Sequence, residues 1–156
     1  GLNDSKKLSP QKREELAEII KSRAFSYSIS QVESDEIDSK GIAFCNNKAF
    51  HRACDGLSVT PELVLTDGYP MKNSTLRNEY VIKGDLKSAS IAAASIIAKV
   101  YRDNLMKEYS LKYKEYGFDR NAGYGTEEHV TALMKYGITP IHRKSFLNNI
   151  MSKKDA

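Results

Sequence analysis

The segment EYVIKGDLKSASIAAASIIAKVYRD at 79–103 decides the fold. Tyr80–Ile82 indicates a short strand, and the Ala-, Ser- and Ile-rich run that begins near Ser88 indicates a long helix. Because its side chains are small, this helix can pack close to a sheet. Asp85 follows Gly84 on the turn between strand and helix. An acidic residue is a poor structural choice for such a turn and a good metal ligand, so Asp85 is the first candidate functional residue.

The composition indicates a single domain with a core of its own. The chain has 156 residues, of which 40% are hydrophobic, and 24 basic against 20 acidic residues give a net charge of +4. This charge permits a nucleic-acid partner but does not require one. Cys45 and Cys54 fall on opposite faces of one predicted helix and are expected to be free thiols in a reducing cytoplasm. No apolar run reaches the roughly 18 residues of a membrane span, so we expect no membrane partner.

Helices alternate with short strands along the rest of the chain, which predicts an α/β fold with helices packed on a sheet. Ser9 and Pro10 predict the start of a helix that runs to about Arg23. Alternation of apolar residues with serine predicts a half-buried strand formed by Phe25, Tyr27 and Ile29. The predicted domain covers 1–151, and 152–156 is a polar tail.

Four further elements follow. A helix capped by Asp38 or Ser39 is predicted to run past Cys45 to about Leu57. A buried strand at 63–65 leads to Thr66-Asp67-Gly68, and residues 69–78 and 110–125 are predicted to be loops. Thr126 is predicted to cap a helix that ends at Tyr136-Gly137.

Two carboxylates stand where the predicted strands end, Asp67 after LVLT and Asp85 after YVIKG. Sites of α/β proteins gather at such strand ends. Two Asp residues at neighbouring strand ends can share divalent cations, and a pair of ions about 4 Å apart can activate a water and stabilise a leaving oxygen in phosphodiester cleavage. The spacing alone fits equally well two ordinary turn residues beside glycine.

Other residues are candidates for nucleic-acid contact. Tyr124 lies between two glycines, where its ring can lie flat on a sugar or base or, alternatively, pack in a tight turn. Thr126 and the first amides of the following helix can accept a phosphate. His129 is more typical of a core or surface histidine, and so is His142. Eight basic residues supply phosphate-binding charge if they share one face of the protein, and otherwise they form an ordinary solvated surface. They are Lys6, Lys7, Lys83, Lys87, Lys99, Arg102, Arg143 and Lys144.

Six motifs resemble those of bacterial ribonuclease HII, the type 2 ribonucleases H, in the family's order and over essentially the whole chain. They are GLNDSKKLSP at 1–10, EID at 36–38, VLTDG at 64–68, IKGDLKSASIAAASIIAKVYRD at 82–103, GYGTEEH at 123–129 and HRKSF at 142–146. The resemblance implies a ribonuclease H-like α/β fold, a mixed sheet flanked by helices. It also implies a cytoplasmic enzyme of DNA replication and repair that is monomeric when complete.

The implied activity is that of an endoribonuclease. It would cleave the RNA strand of RNA–DNA hybrids, and single ribonucleotides embedded in duplex DNA, by two-metal-ion hydrolysis. Mg²⁺ or Mn²⁺ would be the cofactor, and the products would carry 5′-phosphate and 3′-hydroxyl ends.

The resemblance also assigns roles to individual residues. Asp67 matches the family's third metal-binding carboxylate and Asp85 its fourth. Tyr124 matches the tyrosine that stacks on a sugar next to the RNA–DNA junction. The loop against the substrate near the scissile phosphate would contain Asn3, Ser5, Lys6 and Lys7. Segments that approach the nucleic-acid backbone would contribute Thr126, His142, Arg143 and Ser145.

The 156 residues depart from the family's pattern in one respect. They do not contain its Asp-Glu-Ala-Gly-Arg-Gly motif, which carries the first two carboxylates and reads the ribose 2′-hydroxyl. Asp35-Glu36 is no substitute, because it lacks the Gly-Arg-Gly and falls in a helix-capping segment. We therefore expect N-terminal strands of the sheet to be missing and these residues alone to be inactive or nearly so.

Two alternatives remain open at this point. One is a non-catalytic nucleic-acid-binding remnant, and the other is a C-terminal fragment that needs an N-terminal partner segment to complete its sheet. A different metal enzyme with two Asp ligands, such as a phosphatase, is disfavoured, because no stretch resembles a phosphate-transfer nucleophile loop.

Overall fold

A 24-residue helix, Ala89–Lys112, is the longest element of the computed structural model, which describes residues 8–151 and the side chains of residues 8–148. The described helices are α1 (Pro10–Arg23), α2 (Ser34–Lys40), α3 (Ile42–Asp55), α4 (Gly84–Lys87), α5 (Ala89–Lys112), α6 (Phe118–Asn121), α7 (Glu127–Tyr136) and α8 (Lys144–Met151), with a 3₁₀ turn at Lys114–Tyr116. The described strands are β1 (Val64–Asp67) and β2 (Asn78–Val81). Within these residues no helix is long and apolar enough to cross a membrane.

The helix ends confirm the sequence signals at α1 and α7. The Ser9 hydroxyl accepts a hydrogen bond of 3.3 Å from the amide of Lys12, and Pro10 is the first residue of α1. The Thr126 hydroxyl accepts one of 3.3 Å from the amide of His129 at the start of α7. Each hydroxyl satisfies an amide that the first helical turn leaves without an intrahelical partner.

The two strands pair in parallel and end side by side. Val64 is opposite Asn78 and Asp67 is opposite Val81, and the Gly68 amide extends the pairing by donating to the Val81 carbonyl at 3.1 Å. Consequently the residues that follow both strands emerge at the same edge of the sheet. The chain then turns directly into α4 and α5.

The described residues form two compact units, and each has a hydrophobic cluster of its own. The first unit comprises 8–31 and 46–101, and in its cluster Ala17 of α1 and Ile96 of α5 are fully buried. Alanine at the contact allows the two helices to approach closely. The second unit comprises 32–45 and 102–151. Its cluster consists of Met106, Tyr116, Phe118, Ala132 and Leu133.

The predicted half-buried strand after α1 is wrong in two ways. The segment forms no ladder with any described residue, and its serines, rather than its apolar residues, face the protein. Ser30 Oγ donates to the carbonyl of Ala49 at 2.7 Å, and Ser26 Oγ accepts from the amide of Ser58 at 3.0 Å. These hydrogen bonds turn the serines towards the protein, whereas the alternation predicts that the apolar side chains face it. The exposed apolar side chains are those of Phe25, Tyr27 and Ile29.

Four other predictions about the elements need correction. The single helix expected after residue 38 is two helices, because Gly41 adopts a φ of 83° and separates α2 from α3. Asp38 lies inside α2 and caps neither of them. The loop expected at 110–125 contains the end of α5, the 3₁₀ turn and α6, since aromatic residues there pack into the second cluster. The described sheet has two strands, because, of the three predicted strands, only those near 63–65 and 80–82 form one.

Gly84 is required by the close approach of α5 to β2. A Cβ atom on Gly84 would lie 2.5 Å from Ile91 Cδ1 and 3.4 Å from Val81 Cβ. We therefore expect Gly84→Ala to lower the free energy of unfolding, measured by chemical denaturation, by about 1–3 kcal/mol through overpacking.

The double variant Gly84→Ala/Ile91→Val lacks the δ-methyl that the new Cβ would meet. It should lose less stability than the sum of the two single variants, and additive losses would contradict the steric explanation. Gly125→Ala is the matched control, because no atom lies within 4 Å of its added Cβ and its φ is not positive.

Candidate functional site

A hydrogen bond from the backbone beside Asp85 holds the carboxylate of Asp67, and these are the two predicted strand-end acidic residues. Asp67 Oδ1 accepts it from the amide of Gly84 at 2.8 Å. Gly84 directly precedes Asp85 in α4, so the Asp67 carboxylate is fixed to the backbone one residue from Asp85. The structure therefore brings these two residues together, which the positions of the strand ends predict.

The turn between β2 and α5 has a defined conformation. Lys83 adopts the left-handed region with φ 57° and ψ 48°, and α4 begins immediately after it. The Ser88 amide donates to the carbonyl of Gly84 at 2.8 Å and closes this short helix. The Ser88 carbonyl in turn accepts from Ala92 at 2.9 Å, so α5 starts without an intervening loop. Asp85 is consequently held between the paired strand β2 and the long helix α5.

The carboxylates of Asp67 and Asp85 suit a hard divalent cation, but they supply only part of its coordination shell. Asp67 is exposed and Asp85 is partly exposed, so both carboxylates are open to solvent. Within residues 8–151, the Gly84 amide is the one hydrogen-bond partner of the Asp67 carboxylate, and the Asp85 carboxylate has none. Over the same residues, no group of three or more His, Cys, Asp or Glu is placed to hold a metal. Mg²⁺ and Mn²⁺ take oxygen ligands, and water, substrate oxygens or further carboxylates would have to complete the coordination.

Basic residues flank the carboxylates in the same unit. Lys83 and Lys87, on either side of Asp85 in sequence, are both exposed. Lys99 is partly buried and lies on α5, two residues before the end of this unit's part of the helix. Exposed lysines beside a carboxylate site attract the anionic backbone of nucleic acids.

Tyr124 belongs to the second unit and lies on a tight turn after α6. Its amide donates to the carbonyl of Asn121 at 2.8 Å, across Ala122 and Gly123, which have φ values of 48° and 78°. Two successive left-handed residues are typical of a type I′ turn. The buried Asn121 side chain fixes the turn further, because its Oδ1 accepts from the Gly123 amide at 2.8 Å.

The Tyr124 ring points outward and has a cation beside it. The residue is 57% exposed, and the Arg102 guanidinium carbon lies 6.0 Å from the ring centroid. Arg102 Nη2 also donates to the carbonyl of Ala122 at 3.1 Å, which ties this side chain to the turn. An exposed aromatic ring on a rigid turn can stack on a sugar or base. Sequence reasoning counted Arg102 as phosphate-binding charge and missed this supporting contact.

His142 is buried, in contrast to the exposed position expected of a residue that touches nucleic acid directly. Its Nε2 lies 3.0 Å from Nε2 of His129, which is also buried, and its Nδ1 accepts from the amide of Thr139 at 2.9 Å. Burial, with a smaller contribution from His129, lowers the pKa of His142. The direct contact that the resemblance implies for His142 has no support in this geometry. His129 is a core histidine, one of the two positions that the sequence left open for it.

Ser145 and Arg143 are engaged within the second unit. Ser145 donates from both its hydroxyl (2.5 Å) and its amide (3.0 Å) to Asp38 Oδ1, while the Lys144 amide donates to Asp38 Oδ2 at 2.7 Å. Asp38 therefore caps α8 from α2, whereas the sequence predicts a cap on the neighbouring helix. The Arg143 guanidinium carbon lies 3.9 Å above the centroid of the Phe146 ring.

The remaining predicted residues are distributed as follows. Thr126 is exposed, but its hydroxyl caps α7, and Glu127 and Glu128 already place negative charge in that first turn. A phosphate is less favourable there than at an uncharged helix start. Four predicted substrate-binding residues lie outside the described residues, namely Asn3, Ser5, Lys6 and Lys7.

The chain is similar to one protein family over almost all of its length. A family model described as Ribonuclease HII matches residues 1–149. The ribonuclease HII of Clostridium perfringens (strain 13 / Type A) is 64% identical over 150 residues, which are 96% of this chain and 55% of that protein. That of Clostridium acetobutylicum is 57% identical over 151 residues, 97% of this chain and 59% of that protein. The chain thus spans between half and two thirds of the length of these curated relatives.

A solved structure shows the fold. The crystal structure of the ribonuclease H2 from Pyrococcus horikoshii OT3 matches with a TM-score of 0.83 and 24% identity, over 99% of this chain and 82% of that one. This likeness confirms the predicted ribonuclease H-like α/β fold.

Asp38 gives a test of the cap on α8. Its hydrogen bonds from Ser145 lower the pKa of its carboxyl, so the folded state favours the ionised form. The stabilisation is present above about pH 4, the usual range of an Asp pKa, and is lost as the pH falls through the lower folded-state pKa. We expect Asp38→Asn to lower the melting temperature at pH 7 and the difference from the parent to narrow at pH values below about 4.

Asp35→Asn is the matched control for this measurement. It removes the same charge from the same helix, but Asp35 bonds to the neighbouring Glu36 amide rather than to α8. An equal loss for both variants at pH 7 would show that charge, and not the cap, is responsible.

Proposed function

Because the chain belongs to the ribonuclease HII family, we propose that, together with the carboxylates of the family's Asp-Glu-Ala-Gly-Arg-Gly motif, it acts as a metal-dependent endoribonuclease on RNA–DNA hybrids and on duplex DNA that contains single ribonucleotides. The observation that supports this function best is the bond from the Gly84 amide to Asp67, which fixes one carboxylate beside a second, Asp85. Paired carboxylates at adjoining strand ends are the donor type that phosphodiester cleavage with divalent ions needs.

Asp67 and Asp85 are the residues we propose as metal ligands. Divalent ions bound there would activate the attacking water and stabilise the leaving oxygen, which gives 5′-phosphate and 3′-hydroxyl ends. The Gly84 amide holds Asp67 in one orientation, so this carboxylate does not have to be ordered when a ligand binds. Lys83 and Lys87 add positive charge for the nucleic-acid backbone.

Residues of the second unit are proposed to bind substrate rather than metal. The Tyr124 ring would stack on a sugar next to the RNA–DNA junction, supported by its exposure and its rigid turn. Thr126, Arg143 and Ser145 remain proposals for backbone contact. For Ser145 such a contact competes with its hydrogen bonds to Asp38.

The 156 residues carry two of the four carboxylates that the family uses. We therefore propose that, by themselves, they cleave little or no substrate while still binding duplexes through their lysines and Tyr124. The one-domain assignment over 1–151, the cytoplasmic location and the monomeric state stay proposals. The free thiols Cys45 and Cys54 favour a reducing compartment.

Metal binding tests the carboxylate pair without any need for cleavage. We expect the chain to bind Mn²⁺ in a calorimetric titration, and Asp67→Asn and Asp85→Asn each to weaken binding at least tenfold, because each removes one of two charged ligands. Glu62→Gln, an exposed residue of the same unit, is the matched control and should leave binding unchanged. Equal affinity in all four proteins would contradict the proposed ligands.

Cleavage of a duplex with one embedded ribonucleotide tests the proposal for the 156 residues. We expect no substantial cleavage in Mg²⁺ by the chain alone and restored cleavage when a segment with the Asp-Glu-Ala-Gly-Arg-Gly motif is added. Substantial cleavage by the chain alone would show that two carboxylates suffice. If the chain binds duplexes in a salt-dependent way and addition restores nothing, the non-catalytic alternative is favoured.

Binding measurements test the stacking role of Tyr124. Taking base–aromatic stacking, which contributes about 1–3 kcal/mol, as the scale for stacking on a sugar, we expect Tyr124→Ala to weaken binding of that duplex by about 5- to 150-fold. Tyr124→Phe keeps the ring and should bind within about twofold of the parent. If both variants bind equally well, the ring does not contribute.

A further inference from the structure

We propose that the buried pair His129 and His142 positions the Tyr124 ring for substrate, through a chain of directed hydrogen bonds that is complete only when both imidazoles are neutral. This inference rests on the proposed function, because the role of Tyr124 belongs to it. His129 and His142 are positioning residues here, since neither is exposed to a substrate. The geometry of their four ring nitrogens carries the proposal.

The chain of hydrogen bonds starts at a backbone amide. The Thr139 N–H can only donate, and it lies 2.9 Å from Nδ1 of His142. Nδ1 of His142 is therefore an unprotonated acceptor, and the single proton of its neutral ring is on Nε2. One backbone group thus selects the tautomer of His142.

The direction of the remaining bonds follows from this first one. Nε2–H of His142 donates to Nε2 of His129 at 3.0 Å, so that nitrogen of His129 is an acceptor. The proton of neutral His129 is then on Nδ1, which donates to the carbonyl of Tyr124 at 2.9 Å. The same carbonyl also accepts from the Thr126 amide at 2.8 Å. Two donors therefore fix the backbone of the residue whose ring is exposed.

An additional proton disrupts this arrangement, although Thr139 Oγ1, which lies 2.8 Å from Nδ1 of His142, can accept from a protonated Nδ1. Protonated His142 would present Nδ1–H to the Thr139 amide, and protonated His129 would present Nε2–H to Nε2–H of His142. Either case places two donors against each other and breaks one bond of the chain. Burial of His142 disfavours its charged form in the same sense, which lowers its pKa.

The surroundings of the pair contain neutral rings. Tyr116 and Phe118 pack against both imidazoles, with ring centroids between 5.3 and 6.4 Å apart. The Tyr116 hydroxyl donates to the Gly137 carbonyl at 2.9 Å, and burial raises its pKa, so it stays protonated wherever histidine titrates.

The charged residues next to His129 and His142 in sequence interact with groups other than the two imidazoles. Glu128, beside His129, pairs with Arg120. Arg143, beside His142, lies over the Phe146 ring.

The turn that carries Tyr124 needs such support. Ala122 occupies the left-handed region at φ 48°, which costs a non-glycine residue about 1–2 kcal/mol. A turn with this cost is retained when its surroundings fix it. The histidine pair supplies a fixed point at Tyr124 itself.

Nitrogen-15 NMR of the histidine rings tests the hydrogen-bond chain directly. At pH 7.5 we expect opposite tautomers, with His142 protonated on Nε2 and His129 on Nδ1, in slow exchange. Identical tautomers in the two rings, or averaged signals from both, would overturn the proposal. This readout does not depend on substrate or metal.

A matched pair of variants tests positioning. His129→Asn places an amide N–H near the position of Nδ1, whereas His129→Leu has nearly the same shape and no donor. Both leave Nε2–H of His142 without its partner, so they differ in the bond to Tyr124. In the His129→Asn background, Tyr124→Ala should weaken binding of the ribonucleotide-containing duplex by fivefold or more. In the His129→Leu background the same substitution should cost less than twofold.

A pH series on the unmodified histidine pair provides the same test where a variant does not fold. The ratio of duplex affinities of the parent and Tyr124→Ala should fall towards one as the NMR signals report protonation of the pair. A ratio that stays constant through that protonation, or an equal cost of Tyr124→Ala in both His129 backgrounds, overturns the positioning role while the proposed function stands. If Tyr124→Ala binds like the parent at pH 7.5, the proposed stacking fails, and the positioning role fails with it.

Discussion

The bond between the Asp67 carboxylate and the Gly84 amide is the constraint around which the first unit is arranged. It requires that β1 and β2 end side by side and that the chain turn immediately after β2. Gly84 lacks a side chain because Ile91 of α5 and Val81 of β2 approach it closely. Lys83 adopts a left-handed conformation to make this turn possible. The small residues of α5 then allow that helix to lie close behind, so that a solvent-facing acidic pair rests on a packed support. The two carboxylates can thus be fixed in position and still exposed to solvent, because backbone groups rather than side-chain contacts hold them.

The second unit solves a different problem, which is to hold an exposed ring on a turn of unfavourable backbone conformation. It does so with buried polar groups whose hydrogen bonds are directed by backbone amides and carbonyls. No buried side-chain nitrogen or oxygen among the described residues lacks a hydrogen-bond partner. Asn121 fixes the inside of the turn, and the histidine pair fixes the carbonyl of Tyr124. In a site surrounded by aromatic rings such bonds are strong when complete and costly when one is missing.

Long-range side-chain to backbone bonds account for the elements that sequence patterns describe wrongly. Asp38 caps a helix more than a hundred residues away, and the serines after α1 bond to the backbone of Ala49 within α3 and of Ser58 after it. In both cases the local pattern correctly indicates the type of feature, a capping residue at Asp38 and an alternating segment after α1. The partner, and therefore the orientation, depends on which other segment lies alongside. Local propensity does not contain that information.

The sequence by itself determined the helices at Pro10–Arg23 and Glu127–Tyr136, the strand-end position of Asp67 and Asp85, and the motifs that place the chain in its family. These depend on caps, turns and periodicity, which act between residues close in the chain. The tertiary structure alone decided that Gly84 bonds to Asp67, that His142 is buried against His129, and that Phe25 is exposed while its neighbouring serines face inward. Each of these depends on the distance and direction between groups far apart in sequence, which hydrophobic period and residue type do not specify.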